Sequence, residues 1–344
     1  MAYTTIDNGE EHFNTILYTG DGSADNDITG VGFAPDFVWA KNRGAADAHW
    51  VLDSTRGATK GLYTNGNAAE NTQNHLISFD SDGFSVGNQA NGLNTSSNNY
   101  VAWNWKANGG TTSSNSDGDI TATVQANTTA GFSIMTWTSN NADNQTIGHG
   151  LGAAPEVFWV KIRDATGSWY CYFKEAGATH YLSLNSTGAR VDNVIWGDTH
   201  PTSSVITVDT NSLSGSTPTV VSYAFKQIQG YSKFGSYTGN GNADGPFVYT
   251  GFKPAWLLIK SSGSSGDNWV ICDNKRDTFN VMENILLANS SNAEFDETSF
   301  DFLSNGFKLR QNAATYNDSG DTFVYMAFAE HPFVSSKGVP VTAR

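Results

Sequence analysis

Cysteine is nearly absent: Cys171 and Cys272 are the only two in 344 residues. A disulfide framework is not indicated, and the pair reads as small buried hydrophobes. Basic charge is scarce as well, with 19 Lys and Arg against 33 Asp and Glu and a net charge of −14. Nucleic-acid binding needs a basic footprint, which this chain lacks. Docking on anionic lipid is disfavoured for the same reason, and no apolar run approaches the ~18 residues of a membrane-spanning helix. The opening Met1-Ala2-Tyr3-Thr4-Thr5-Ile6-Asp7 has neither a basic n-region nor an apolar h-region, so no signal peptide is expected. Charged residues of either sign make up only 15% of the chain, and Asn, Ser and Thr carry most of its polarity.

What the chain does have is a stretch that occurs three times. Gly32-Phe33-Ala34-Pro35-Asp36-Phe37-Val38-Trp39-Ala40-Lys41 returns as Gly152-Ala153-Ala154-Pro155-Glu156-Val157-Phe158-Trp159-Val160-Lys161, and again as Gly251-Phe252-Lys253-Pro254-Ala255-Trp256-Leu257-Leu258-Ile259-Lys260. A lysine always falls six residues past the proline. Proline cannot donate to a ladder and suits the first position of a strand. The apolar run after it lacks strict alternation, which predicts a strand covered on both faces.

Other landmarks keep a fixed order around that run. Tyr18-Thr19-Gly20, Trp137-Thr138 and Tyr237-Thr238-Gly239 precede it, and Trp50, Trp169 and Trp269 follow the prolines by fifteen, fourteen and fifteen residues. Asp53-Ser54-Thr55-Arg56 recurs as Asp273-Asn274-Lys275-Arg276, and each segment closes near Trp103, Phe225 or Phe328. With 35 glycines and 12% aromatics, the pattern predicts an all-β protein of three tandem antiparallel β-sandwich repeats of the jelly-roll or concanavalin A-like kind. The expected organisation is an N-terminal arm (1–14), repeat 1 (15–106), a linker with an extra strand (107–129), repeat 2 (130–229), repeat 3 (230–333) and a C-terminal tail (334–344). Repeat 2 departs most, having neither the Asp-x-x-Arg landmark nor a counterpart of Asp82-Gly83-Phe84.

The structural core is expected at Pro35, Trp39, Lys41, Trp50, Trp103, Pro155, Trp159, Lys161, Trp169, Pro254, Lys260 and Trp269. Catalytic residues are not expected. A glycosidase needs two convergent carboxyls, and Glu294, Asp296 and Glu297 lie in a polar loop of one repeat only. The Asp-x-x-Arg pairs read as ion pairs that fix a turn. His12, His49, His75, His149, His180, His200 and His331 have no metal-ligand spacing and read as surface or turn residues. Asp25, Asp143 and Asp244 sit in three acidic loops just before the core strand, where ordinary Asx turns are expected and calcium is the weaker alternative. No other metal or cofactor is expected. Trp105, Trp196 and Tyr316, with Tyr63, lack counterparts in the other repeats and are the candidates for a glycan platform or an interface.

The landmarks Tyr18-Thr19-Gly20, Gly32-Phe33-Ala34-Pro35, Asp53-Ser54-Thr55-Arg56, Ser81-Asp82-Gly83-Phe84 and Tyr100-Val101-Ala102-Trp103-Asn104-Trp105-Lys106 resemble a repeated domain of unknown function found in marine bacteriophage virion proteins. The resemblance covers essentially the whole chain and implies concanavalin-type sandwiches in a tail-fibre, appendage or capsid-associated protein. The family has no defined catalytic residues. The resemblance therefore implies a non-enzymatic virion structural protein, made in a host cytoplasm and located in the virion. Its partners would be other virion proteins and further copies of itself, in a homo-oligomer. The alternative is a carbohydrate-binding adhesin that recognises host-surface glycan, with a depolymerase behind it.

Overall fold

The computed structural model describes residues 2–214 and 216–341 and is nearly all β, built from antiparallel sheets in a sandwich-like architecture. Three large sheets share one strand order. In each, an opening strand (Phe13–Thr19, Phe132–Thr138 or Ser232–Thr238) pairs with a closing strand (Asn99–Trp105, Thr219–Phe225 or Thr322–Pro332). The closing strand pairs in turn with a proline-motif strand (Phe37–Asn42, Val157–Ile162 or Phe252–Ser261). The strands Trp50–Asp53, Tyr170–Phe173 and Val270–Asp273 follow next in the order. Smaller sheets complete the sandwiches: Asn26–Thr29, Gly83–Val86 and Leu76–Asp80 in the first segment, Gln145–Gly148 and Val205–Val208 in the second. In the third, Phe247–Tyr249, Gly306–Leu309 and Phe295–Leu303 do so, continuous with the large sheet.

Every residue of Phe37–Asn42 and Val157–Ile162 is buried, as the unalternating apolar runs predict. The two faces enter different cores. Phe37, Trp39, Val157, Trp159, Trp256 and Leu258 all join one central cluster, fed by all three large sheets. Their alternates Val38 and Ala40, Phe158 and Val160, and Leu257 and Ile259 fill three separate sandwich interiors. Side-chain period 2 along a strand makes this division automatic. At the centre, Trp39 meets Trp159 at 5.9 Å and Trp256 at 6.2 Å between ring centroids, both edge-on. Edge-to-face pairs of this kind add to what their buried area contributes.

Pro35 and Pro155 stand two residues before their strands. Pro254 lies inside its strand at a register shift, a position a proline tolerates because the ladder is already broken there. The linker composition of 107–119 predicts flexibility, yet it is pinned. The Asp36 carboxylate accepts the backbone N–H groups of Ala107, Gly109 and Gly110 at 2.7–2.8 Å, and Ser113–Asn115 pairs with the extra strand Ala122–Asn127. The N-terminal arm is packed as well: Ile6 enters the central core, and Asp7 accepts the Ser336 N–H at 2.6 Å. Of the C-terminal tail, 342–344 lie outside the described residues.

Candidate functional site

Register identifies which residues correspond. Aligning Lys41, Lys161 and Lys260 aligns Asp53 with Phe173 and Asp273, and Trp103 with Tyr223 and Met326. The Asp-x-x-Arg pairs do more than fix a turn. Asp53 accepts Arg56 Nε at 2.5 Å, and its Oδ2 also accepts the hydroxyl of Tyr223, from the next segment, at 2.6 Å. Arg56 donates onward to Glu70 at 2.8 Å, and Glu70 takes Arg163 of the second segment through both carboxylate oxygens. The junction between third and first segments repeats this. Asp273 accepts Arg276 Nε at 2.6 Å and Trp103 Nε1 at 3.0 Å, while Glu294 binds Arg276 and, with both oxygens, Arg43. Glu294 is therefore an inter-segment tie, and Phe295–Leu303 beside it is a strand where a polar loop is expected.

The junction between second and third segments keeps the backbone geometry and drops the buried ion pair. Glu70 N–H to Arg163 O (2.6 Å) and Glu294 N–H to Arg43 O (2.8 Å) have as counterpart Arg190 N–H to Ser262 O (3.0 Å). At the carboxylate and donor positions stand Phe173 and Met326. Both partners change together, so no half-pair is left buried, which is the expensive outcome. The missing Asp-x-x-Arg of the second segment thus has a structural reason.

Burial opposes the charge of Arg56, but Asp53, Tyr223 and Glu70 outweigh it and raise its pKa. Glu70 is likewise opposed by burial, yet Arg163 and Arg56 hold it below the usual carboxylate range. The side chains of Asp53, Arg56, Asp273 and Arg276 have no solvent exposure and cannot meet a substrate. Lys41, Lys161 and Lys260 are buried too, each capping the carbonyl of the following residue at 2.6–2.8 Å. Burial pushes all three ammonium groups down to about 8.

One tryptophan assignment changes. The backbone N–H groups of His49, Trp169 and Trp269 donate to Asn65, Asn185 and Asn289, so His49 is the counterpart of the two tryptophans. Trp50, one residue later, faces the opposite way into the first sandwich, as a one-residue offset must make it. Trp169 and Trp269 reach across junctions, donating Nε1 to Tyr63 O and Ser183 O at 2.9 Å. Of the histidines read as surface or turn residues, His49, His75 and His149 are buried, His75 within a turn. His75 stacks on Trp50 at 3.7 Å, and burial pushes its pKa down to about 4.

The two tryptophans and Tyr316 expected to form a glycan platform or an interface are buried. Trp105, Trp196 and Tyr316 are 1%, 0% and 0% exposed. Trp105 occupies the register position of Phe225 and Phe328 in the central core. Trp196 plugs the second sandwich against Phe158 (4.7 Å), its Nε1 on His180 O. Tyr316 closes the third against Phe300 (4.9 Å) and bonds Ser299 and Gln311. Tyr63 is half-buried under Trp50. Exposed aromatics lie elsewhere: Phe279 (72%), Phe295 (38%), and Phe247 (46%) with Tyr249 (54%), the last two beside a groove of about 420 Å³ that Glu175 and Lys233 also line.

The acidic loops are tied from below. Buried Asn94 accepts from Asp21 N–H and Asn26 Nδ2 and donates to Asp21 Oδ1 and Ser23 O; Thr210 and Asn317 clasp the other two loops in the same place. Asp25 is exposed, Asp143 meets Asn211 at 3.3 Å, and Asp244 pairs with Lys308 at 2.7 Å. Among the described residues no three His, Cys, Asp or Glu side chains converge. Sequence reasoning missed Asn94 and Asn317; their spacing before Tyr100 and Phe323 was the available signal.

No curated protein and no solved structure is found to match the chain. One family does match, over residues 8–332 and so across all three large sheets, and the chain belongs to it: the domain of unknown function DUF7483.

Proposed function

We propose that the chain is a non-enzymatic structural protein of a bacteriophage virion, a tail-fibre, knob or capsid-associated subunit built from concanavalin-like sandwiches. The observation that carries this reading is where the interior charge goes. Asp53, Arg56, Glu70, Asp273, Arg276 and Glu294 are all engaged in holding one segment to the next. A buried, fully partnered network of this kind favours one rigid arrangement, which suits a particle component that must keep its shape outside a cell. The resemblance of the repeated landmarks to phage virion proteins supports the same reading. Other virion proteins and further copies of the chain are the proposed partners. Mass spectrometry and cryo-electron microscopy of particles purified from the encoding phage test it: the fold should be traceable in the density, and its absence from the particle overturns the proposal.

A second reading, carbohydrate binding, is favoured by Phe247 and Tyr249. Tyr3 braces this face, its hydroxyl 3.3 Å from that of Tyr249, and exposed aromatic rings above a polar groove suit the apolar face of a sugar. Glycan arrays with a Tyr249→Ala control test it: binding should be present and lost in the variant.

A further inference from the structure

The three opening strands are not treated alike. Phe132–Thr138 of the second segment is covered by Ala122–Asn127, which pairs antiparallel along it, Thr123 opposite Thr136 and Asn127 opposite Phe132. Gln125 of that covering strand reaches across the junction. Its Nε2 donates to Ser54 Oγ and Thr55 Oγ1 at 2.8 Å each, and its Oε1 accepts Gly110 N–H at 3.0 Å. One strand thus completes a sheet and bridges two segments through a single carboxamide.

The corresponding edge of the first segment, Phe13–Thr19, ends its sheet and carries no such strand. Thr15 stands there in the place of Ile134, the residue opposite Gln125. The facing turn, from the third segment, has Asn274 and Lys275 where the first has Ser54 and Thr55. Between them runs a groove of about 480 Å³, lined by Glu10, Asn14, Thr15, Leu17, Gly30 and Lys275 among others. Among the described residues Asn14 Oδ1 and Thr15 Oγ1 are buried there with no hydrogen-bond partner, and Asn274 Oδ1 on the facing turn is unpartnered too, although buried polar atoms are as a rule paired. Leu17 is 40% exposed. An open edge with an exposed apolar residue is what native proteins normally cover or charge.

We propose that Phe13–Thr19 is a docking site for an extended strand of a partner polypeptide, paired antiparallel and carrying a glutamine or asparagine opposite Thr15. The covering strand of the second segment is the template for this occupant. Its carboxamide N–H matches the unsatisfied Thr15 Oγ1, Asn274 stands at the position where Ser54 accepts Gln125, and its backbone supplies the missing ladder, as in other strand-addition complexes. Lys275 is already paired with Glu10 at 2.9 Å, so the groove calls for a neutral segment with small apolar residues flanking the amide, like Val124-Gln125-Ala126. The third edge, Ser232–Thr238, lacks this set: Phe234 replaces Thr15, and Lys174 and Glu175 replace Ser54 and Thr55. The docking site stands on the chain's geometry, independent of whether the protein is a virion component.

The probe is a fluorescein-labelled peptide of residues 119–129, titrated into the full chain and followed by anisotropy. Saturable binding is expected, weakened at least tenfold by Leu17→Lys in the protein and by Gln125→Leu in the peptide. Hydrogen exchange should slow at residues 13–19. Leu17→Lys changes an exposed side chain, and an unchanged melting temperature verifies its fold. Absence of saturable binding overturns the proposal, and so does binding that Leu17→Lys leaves intact, which would place the peptide on Phe132–Thr138 in exchange for the native strand. A dimer of the chain alone in sedimentation velocity, abolished by Leu17→Lys, would assign the edge to a second copy and overturn the partner reading.

Discussion

Asp53→Ala should be among the most damaging single changes in the chain. The carboxylate is fully buried, its Oδ1 accepting Arg56 N–H at 2.8 Å and its Oδ2 accepting Arg56 Nε and the Tyr223 hydroxyl. Removing one partner of a buried ion pair costs about 3–5 kcal/mol, because a charge is left without compensation. Arg56 would keep Glu70 and the carbonyls of Lys60 and Val51, which places the loss near the lower end, about 3 kcal/mol. The stranded Tyr223 hydroxyl adds about 1 kcal/mol. The sum, about 4 kcal/mol, is a large share of the ~5–15 kcal/mol that typically holds a fold. The junction between second and third segments supplies the control, since Phe173, Ala176 and Met326 occupy the positions of Asp53, Arg56 and Tyr223. The triple change Asp53→Phe, Arg56→Ala and Tyr223→Met should lose less than Asp53→Ala alone, because it removes the charge together with its partner. Urea denaturation followed by tryptophan fluorescence measures both. A loss under about 1 kcal/mol for Asp53→Ala would refute the reasoning, as would a triple variant weaker than the single one.

Stability should rise with pH from about 8 toward 10.5. The three buried lysines titrate near 8 in the fold instead of 10.5, so above pH 8 the unfolded chain binds more protons and rising pH favours the fold; Lys41→Met should flatten the slope in urea midpoints. On the acid side, His75 at about 4 against its usual 6.5 makes stability fall as pH drops from 6.5 toward 4, and His75→Phe should reduce that loss. Cys171 and Cys272 are buried with their thiols pushed up by burial, so a thiol reagent at pH 8 should label neither until urea unfolds the chain. Asn94→Ala should cost about 1–3 kcal/mol, the desolvation of the groups it leaves unpaired, and should speed hydrogen exchange at residues 21–26.

The strand framework was legible in the residues alone. A proline, an unalternating apolar run and a lysine at constant spacing can be satisfied by a strand buried on both faces, and Phe37–Asn42 and Val157–Ile162 are buried throughout. Lys41, Lys161 and Lys260 were legible as a set because they fall at one register position. Which face each aromatic takes was not legible, since a one-residue offset between Trp50 and Trp169 reverses the side of the sheet without altering the local pattern. Trp105, Trp196 and Tyr316 looked free for the same reason: whether a ring is exposed depends on what another part of the chain puts against it. The junctions are wholly a tertiary matter. Asp53 meets Tyr223, and Asp273 meets Trp103, across 170 residues in each pair, and only the closing of three sheets around one core brings a carboxylate of one segment to the donor of the next.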